Sequence, residues 1–174
     1  MMLIAGEIQV SFAVCSAILP AFVFGALDRM ALVEKTVLVA YSAEQMFNLV
    51  DKVEDYPQFL PWCGGASVTE LDGKTVHATV HIDYHHLKQQ FTTENVRTPA
   101  QQIDITLQDG PFKQLDGHWR FIPLNETACK IEFRLHYEFS SKLLEKLVGP
   151  VFHYIANSFV DAFIHRAEKV YTNT

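Results

Sequence analysis

The strongest constraint on this chain is a change of period partway along it. Across residues 74–139 apolar side chains recur at every second position; across residues 144–170 they recur at every third or fourth. Period two with one polar face describes antiparallel strands that are wet on one side. Period 3.6 describes a helix with one apolar stripe. A sheet with a single apolar face needs a cover, and a long helix at the end of the chain supplies it.

The strands can be read individually. Residues 74–84 put Val76, Ala78, Val80, Ile82 and Tyr84 on one face, with Thr75, His77, Thr79, His81 and Asp83 on the other. Residues 87–98 form the next strand, which ends before Pro99. Residues 101–108 align Ile103, Ile105 and Leu107. Residues 112–122 align Leu115, Gly117, Trp119 and Phe121. Residues 128–139 align Cys129, Ile131, Phe133, Leu135, Tyr137 and Phe139. Upstream, residues 62–71 lead into an Asp72-Gly73 hairpin turn. Residues 35–41 (KTVLVAY) read as a first strand, rich in β-branched side chains. Ser42 with Gln45 makes a capping-box pattern, so a helix is expected over residues 43–50, burying Met46, Phe47 and Val50. Residues 54–60 have room only for a short second helix before Pro61. The final stripe runs through Leu144, Leu147, Val148, Val151, Phe152, Ile155, Phe159, Phe163, Ala167 and Val170. Gly149-Pro150 interrupts it, which predicts a kink or break. The expected architecture is α+β: about seven antiparallel strands wrapped on a long C-terminal helix, with two short helices after strand one.

Residues 1–29 stand apart from this pattern. They are very apolar and carry only Glu7, Asp28 and Arg29 as charges. No basic region precedes the apolar run, as a secretory signal requires. Pro20 interrupts a stretch already short for a membrane span. The reading adopted is an extension outside a domain of residues 30–174, with Met30 as the domain's beginning. A weak interfacial anchor and a cleaved signal are the alternatives.

With 49% hydrophobic and 20% charged residues the chain can bury a sizeable core. A net charge of -6 argues against a DNA-binding protein, which needs a basic footprint to neutralise phosphates. Lys113, Arg120, Lys130 and Arg134 fall on the outer faces of two consecutive strands, but Asp116 and Glu132 share that face. Three cysteines without CxxC spacing fit a reducing compartment better than a disulfide framework. His77 and His81 share a strand face yet lie about 13 Å apart, too far for one ion. His85 and His86 fall at a turn and point apart; His118 and His136 lie on polar faces. No metal-binding spacing is visible. Cys63 and Cys129 read as packed thiols without a basic partner, and no catalytic residue is expected.

The segment EDYPQFLPWC (residues 54–63) concentrates Tyr56, Phe59, Leu60 and Trp62 between two prolines. Together with YSAEQMFNLV (residues 41–50), DGPFK (residues 109–113) and CKIEFRLHYEF (residues 129–139) it resembles the START-like, or helix-grip, superfamily. Within that superfamily it is similar to the ubiquinone-binding branch, and there to the bacterial ribosome association toxins. The resemblance covers residues 30 to about 171; the histidine cluster His81, His85, His86 departs from it. It implies a curved sheet closing on the C-terminal helix around an apolar cavity. Tyr56, Phe59, Leu60 and Trp62 would line or lid its mouth. Phe91, Phe112, Trp119, Phe121, Phe152 and Phe159 would complete the ligand-binding wall. The function implied first is non-enzymatic: binding ubiquinone or a related polyprenyl lipid, as carrier or chaperone in respiration. The alternative is binding the large ribosomal subunit so as to block subunit joining. A third reading is an enzyme of the polyketide cyclase type. The expected location is cytoplasmic, with a peripheral contact at the inner membrane as a variant. Apart from a bound ubiquinone, no cofactor is implied.

Overall fold

The computed structural model describes residues 30–85 and 87–172. The readings made for residues 1–29, and for the side chain of His86, therefore lie outside the described residues.

Seven antiparallel strands make one sheet in the order β1-β7-β6-β5-β4-β3-β2. They are β1 (Ala31–Val39), β2 (Cys63–Glu70), β3 (Thr75–Tyr84), β4 (Leu87–Thr98), β5 (Gln102–Asp109), β6 (Phe112–Asn125) and β7 (Ala128–Phe139). Consecutive strands pair as hairpins from β2 to β7, and β1 returns to close beside β7. Between β1 and β2 lie α1 (Ala43–Asp51) and a 3-10 helix (Val53–Gln58); α2 (Lys142–Tyr171) ends the chain.

Local chemistry explains most boundaries. At the start of α1 the Ser42 hydroxyl accepts from the Gln45 amide at 3.1 Å, and the Gln45 side chain accepts from the Ser42 amide at 2.9 Å. Both orphan donors of the first turn are thus satisfied. Asp72 turns the β2–β3 hairpin by accepting from the amides of Lys74 and Thr75. β1 starts four residues before the expected Lys35, because Ala31 to Glu34 pair with Tyr137 to Arg134 and bury Val33.

Register shifts at Cys63/Gly65, Thr92/Thr93, Phe112/Gln114 and Pro123/Asn125 bend the sheet. Gly117 sits where β6 crosses the centre of that curve. A Cβ there would collide with the Arg134 carbonyl oxygen. Gly110, with φ of +144°, occupies the turn between β5 and β6, and a Cβ would meet Phe91 at 2.6 Å.

α2 lies on the concave face, as the apolar stripe requires. Val148, Phe152, Ile155, Ala156, Val160, Phe163 and Ala167 are buried. Of the expected stripe, Leu144, Val151 and Phe159 are only partly buried and Leu147 and Val170 face solvent, while Ala156 and Val160 take buried positions instead. A real helix face drifts with the 3.6 period, so Leu147 is carried about 100° away from Val148. The expected break at Gly149-Pro150 also does not occur, and α2 runs through both residues. Pro150 deletes one backbone bond, to the Lys146 carbonyl, while Val148 and Phe152 stay packed on either side.

Candidate functional site

A cavity of about 70 Å³ lies between the concave sheet and α2. The end of α1 and the 3-10 helix close one end through Val50, Val53 and Tyr56. Six of the ten residues expected to hold a ligand border it: Tyr56, Trp62, Phe91, Trp119, Phe152 and Phe159. Phe159 ties the group together, with ring centroids 5.6 Å from Trp62, 5.7 Å from Trp119, 5.9 Å from Tyr56 and 6.0 Å from Phe133.

The other four do not border it. Phe59 turns outward, packing on Phe163 at 5.1 Å with the Arg166 guanidinium 5.3 Å over its ring. Leu60 is sealed in the core. Phe112 lies behind Phe91, against Phe152 and Phe139. Phe121 is held under α1 by Phe47 and stacked on Trp119. Tyr56 and Trp62 line the cavity without forming an open mouth, since they are 5% and 3% exposed. The prolines fold the segment into the core rather than across an opening. Leu60 N–H bonds the Tyr56 carbonyl, and Asp83 N–H bonds the Trp62 carbonyl. The Tyr56 hydroxyl donates to the Val50 carbonyl at 2.7 Å, splicing the 3-10 helix onto α1. Burial, reinforced by Asp51, Cys63 and Glu54, pushes that phenol far up, so it acts as a neutral donor.

Sequence reasoning missed the polar part of the wall. Thr93 and Asn95 border the cavity from β4, and the Thr93 hydroxyl donates to Asn95 Oδ1 at 2.9 Å. The signal was present: alternation through Phe91 places Thr93, Asn95 and Arg97 on one face of β4. Arg97, the next in this row, pairs with Asp51 at 3.5 Å and with Glu70. Burial is the largest influence on Asp51 and raises its carboxyl despite Arg97.

The thiols are poor nucleophiles. Burial pushes Cys129 up to about 11 and raises Cys63, whose Sγ donates to the Gly65 carbonyl. His77 pairs with Glu94 and His136 with Asp116. Burial, then Arg120, lowers His118. Among the described residues no three His, Cys, Asp or Glu side chains gather closely enough to hold a metal. On the outer face of the sheet each expected cation has a partner: Lys113 with Glu138, Lys130 with Glu132, Arg134 with Glu34, and Arg120 with Gln102.

Comparison with known proteins fits this geometry. Residues 39–164 match the family described as polyketide cyclase / dehydrase and lipid transport. Ribosome association toxin RatA of Vibrio cholerae is 46% identical over 142 residues, 82% of this chain and 99% of that protein. Coenzyme Q-binding protein COQ10 homolog B of Xenopus laevis is 28% identical over 138 residues, 77% of this chain and 57% of that protein. The Zhui aromatase/cyclase structure from Streptomyces sp. R1128 superposes with a TM-score of 0.66 at 19% identity, covering 80% of this chain and 94% of that one. The helix-grip architecture expected from the sequence is thus the architecture of the fold.

Proposed function

The chain belongs to the polyketide cyclase / dehydrase and lipid transport family, and we propose that within it the chain is a ribosome-associating protein of the RatA type. One observation carries this reading: 46% identity extends over 99% of a RatA protein, so the whole domain is shared and not only the fold. The proposed partner is the large subunit, which the resemblance implies. The reading displaces ubiquinone carriage from first place, and cavity size is the reason. Sites for drug-sized ligands enclose roughly 300–1,000 Å³, whereas this cavity encloses about 70 Å³.

Charge pairing limits how the chain meets a ribosome. Lys113, Lys130 and Arg134 are paired with carboxylates, so phosphates meeting them would first have to compete with those carboxylates. Contact through ribosomal protein, or through few phosphates, follows. The test is co-sedimentation of the full chain with purified large and small subunits across 50–200 mM salt. Selective binding to large subunits with a shallow salt slope is expected. Failure to bind either subunit at the lowest salt would remove the proposal. A steep slope would show that the outer-face pairs open toward phosphate.

A second reading is favoured by the cavity itself, which is largely apolar and lined by aromatic rings. A COQ10-type relative at 28% identity supports it too. In this reading a small apolar ligand, or the end of a larger one, occupies the cavity, and ubiquinone enters only if α2 or the 3-10 helix gives way. It is compatible with ribosome association. Mass spectrometry of lipids extracted from purified protein tests it: a quinone at near-stoichiometric amount supports it, and lipid-free protein argues against it. The cyclase reading rests on fold likeness alone.

A further inference from the structure

The cavity is not uniformly apolar, and its one polar corner has a direction. Thr93 is the only buried polar or charged residue among those described, at 5% exposure. It stands on β4 between Phe91 and Asn95, both of which also border the cavity. Its hydroxyl is committed to Asn95 Oδ1 at 2.9 Å. That contact takes up the acceptor end of the amide and turns the donor end away from Thr93. Among the described residues no protein acceptor receives the Asn95 amide nitrogen. Of the other polar groups around the cavity, the Tyr56 hydroxyl is already committed to the Val50 carbonyl, while Trp62 and Trp119 carry indole N–H groups that are likewise donors. The wall therefore offers a ligand a hydrogen-bond donor within apolar surroundings.

We infer that the cavity selects ligands bearing a neutral hydrogen-bond acceptor, a ketone or quinone carbonyl, which the Asn95 amide holds while Thr93 fixes the amide's orientation. This rests on the apolar-ligand reading above and states the chemical class of the occupant. A residue that merely filled space here would be apolar, as Val80, Ile103 and Leu115 are around the same cavity. An acceptor placed against Asn95 replaces a bond the amide would otherwise make to water. A saturated hydrocarbon of the same shape leaves the amide unpaired, which is the costlier outcome in a largely apolar site.

The test uses three molecules of nearly the same shape: cyclopentane, cyclopentanone and cyclopentanol. Each is titrated into the full chain and followed by amide chemical shifts of residues around the cavity. Cyclopentanone is expected to bind about fivefold more tightly than cyclopentane, the fold-change of one net neutral hydrogen bond. Asn95→Leu, close in size, should abolish that preference and tighten cyclopentane binding, because no amide is then left unpaired. Thr93→Val frees the amide to turn, so it should narrow the gap between ketone and alcohol; it also serves if Asn95→Leu does not fold. Equal binding of all three molecules overturns the inference and leaves the apolar-ligand reading standing. Tighter binding of the alcohol than of the ketone also overturns it, because the amide oxygen would then face the ligand. If none binds, cyclopentane included, the apolar-ligand reading falls and this inference with it.

Discussion

Replacing Phe159 by Ala separates a ring that plugs the core from one that shapes a ligand site. Phe159 touches the rings of Tyr56, Trp62, Trp119, Phe133 and Phe163 and borders the 70 Å³ cavity. Phe159 is partly buried, so cutting it to Ala should cost somewhat less than the ~3–5 kcal/mol typical of a fully buried Phe. The void left is roughly 100 Å³, and at ~24 cal/mol per Å³ it accounts for about 2.4 kcal/mol of that loss. The remainder is transfer of the ring. Domains typically hold about 5–15 kcal/mol, so the variant should remain folded. Its new void opens into the existing cavity, and an engineered apolar void of about 150 Å³ in another protein stays dry and binds benzene. Benzene should therefore stabilise the variant more than the native chain, by about 1.4 kcal/mol at ten times its Kd. Urea unfolding with and without benzene, followed by circular dichroism, reads both effects. A loss under about 1 kcal/mol would show that the five-ring cluster does not hold α2. The full loss with no benzene effect would show that the site collapses, so that the cavity has no rigid wall.

Two further outcomes follow from single positions. Gly117→Ala should lose about 1–3 kcal/mol in urea unfolding, because the new methyl meets the Arg134 backbone carbonyl, which no rotamer change can move; an unchanged midpoint would mean that β6 and β7 slide freely. Asp51, raised mainly by burial, holds its proton longer in the folded state than in the unfolded one. The penalty for its charge is therefore present at neutral pH and relieved as pH falls through the raised folded value toward 3.8. The stability of the native chain relative to Asp51→Asn should rise over that window, and a gap that is flat or shrinks with acidification would reverse the assignment.

Strands were legible because one face is wet. On β7, Cys129 to Phe139 alternate without exception, and all six inward residues are buried. The limits of reading appear where a second surface intervenes. Leu147 looks identical to Val148 as a letter, and only the placement of α2 on the sheet decides which is covered. Trp62 and Tyr56 were expected at a cavity mouth from the family resemblance; the fold instead uses the proline-flanked turns to bury both rings. Polar residues on an inward face are the hardest to read. Thr93 and Asn95 resemble ordinary outward strand residues until Phe91, two positions earlier, fixes the register. Phe112 and Phe121 were expected at the cavity from the family resemblance; Phe121 shares a face with Trp119 yet is held under α1 by Phe47, and Phe112 lies behind Phe91.

The way α2 is fastened determines where a larger ligand would find room. Its C-terminal half is latched by polar contacts: Arg166 donates to Gln58 at 2.8 Å, Tyr171 donates to the Gln45 carbonyl at 3.1 Å, and Tyr41 meets Thr172 at 3.3 Å. These tie the helix to α1 and the 3-10 helix, so moving this half means moving all three together. Among the described residues the N-terminal half has a single such tie, Tyr137 to His153 at 3.3 Å, and otherwise rests on Phe112 and Phe139 against Phe152. Pro150 removes a backbone bond in this half, and Gly149 lowers the cost of bending beside it. Leu143 and Leu147 already face solvent there, so Val148 and the partly buried Leu144 are the apolar side chains of the first two turns that displacing them would uncover. Phe152 is the first cavity residue beyond that soft point. Space for anything much larger than 70 Å³ is therefore cheapest at residues 142–152, at the opposite end of the cavity from the EDYPQFLPWC segment.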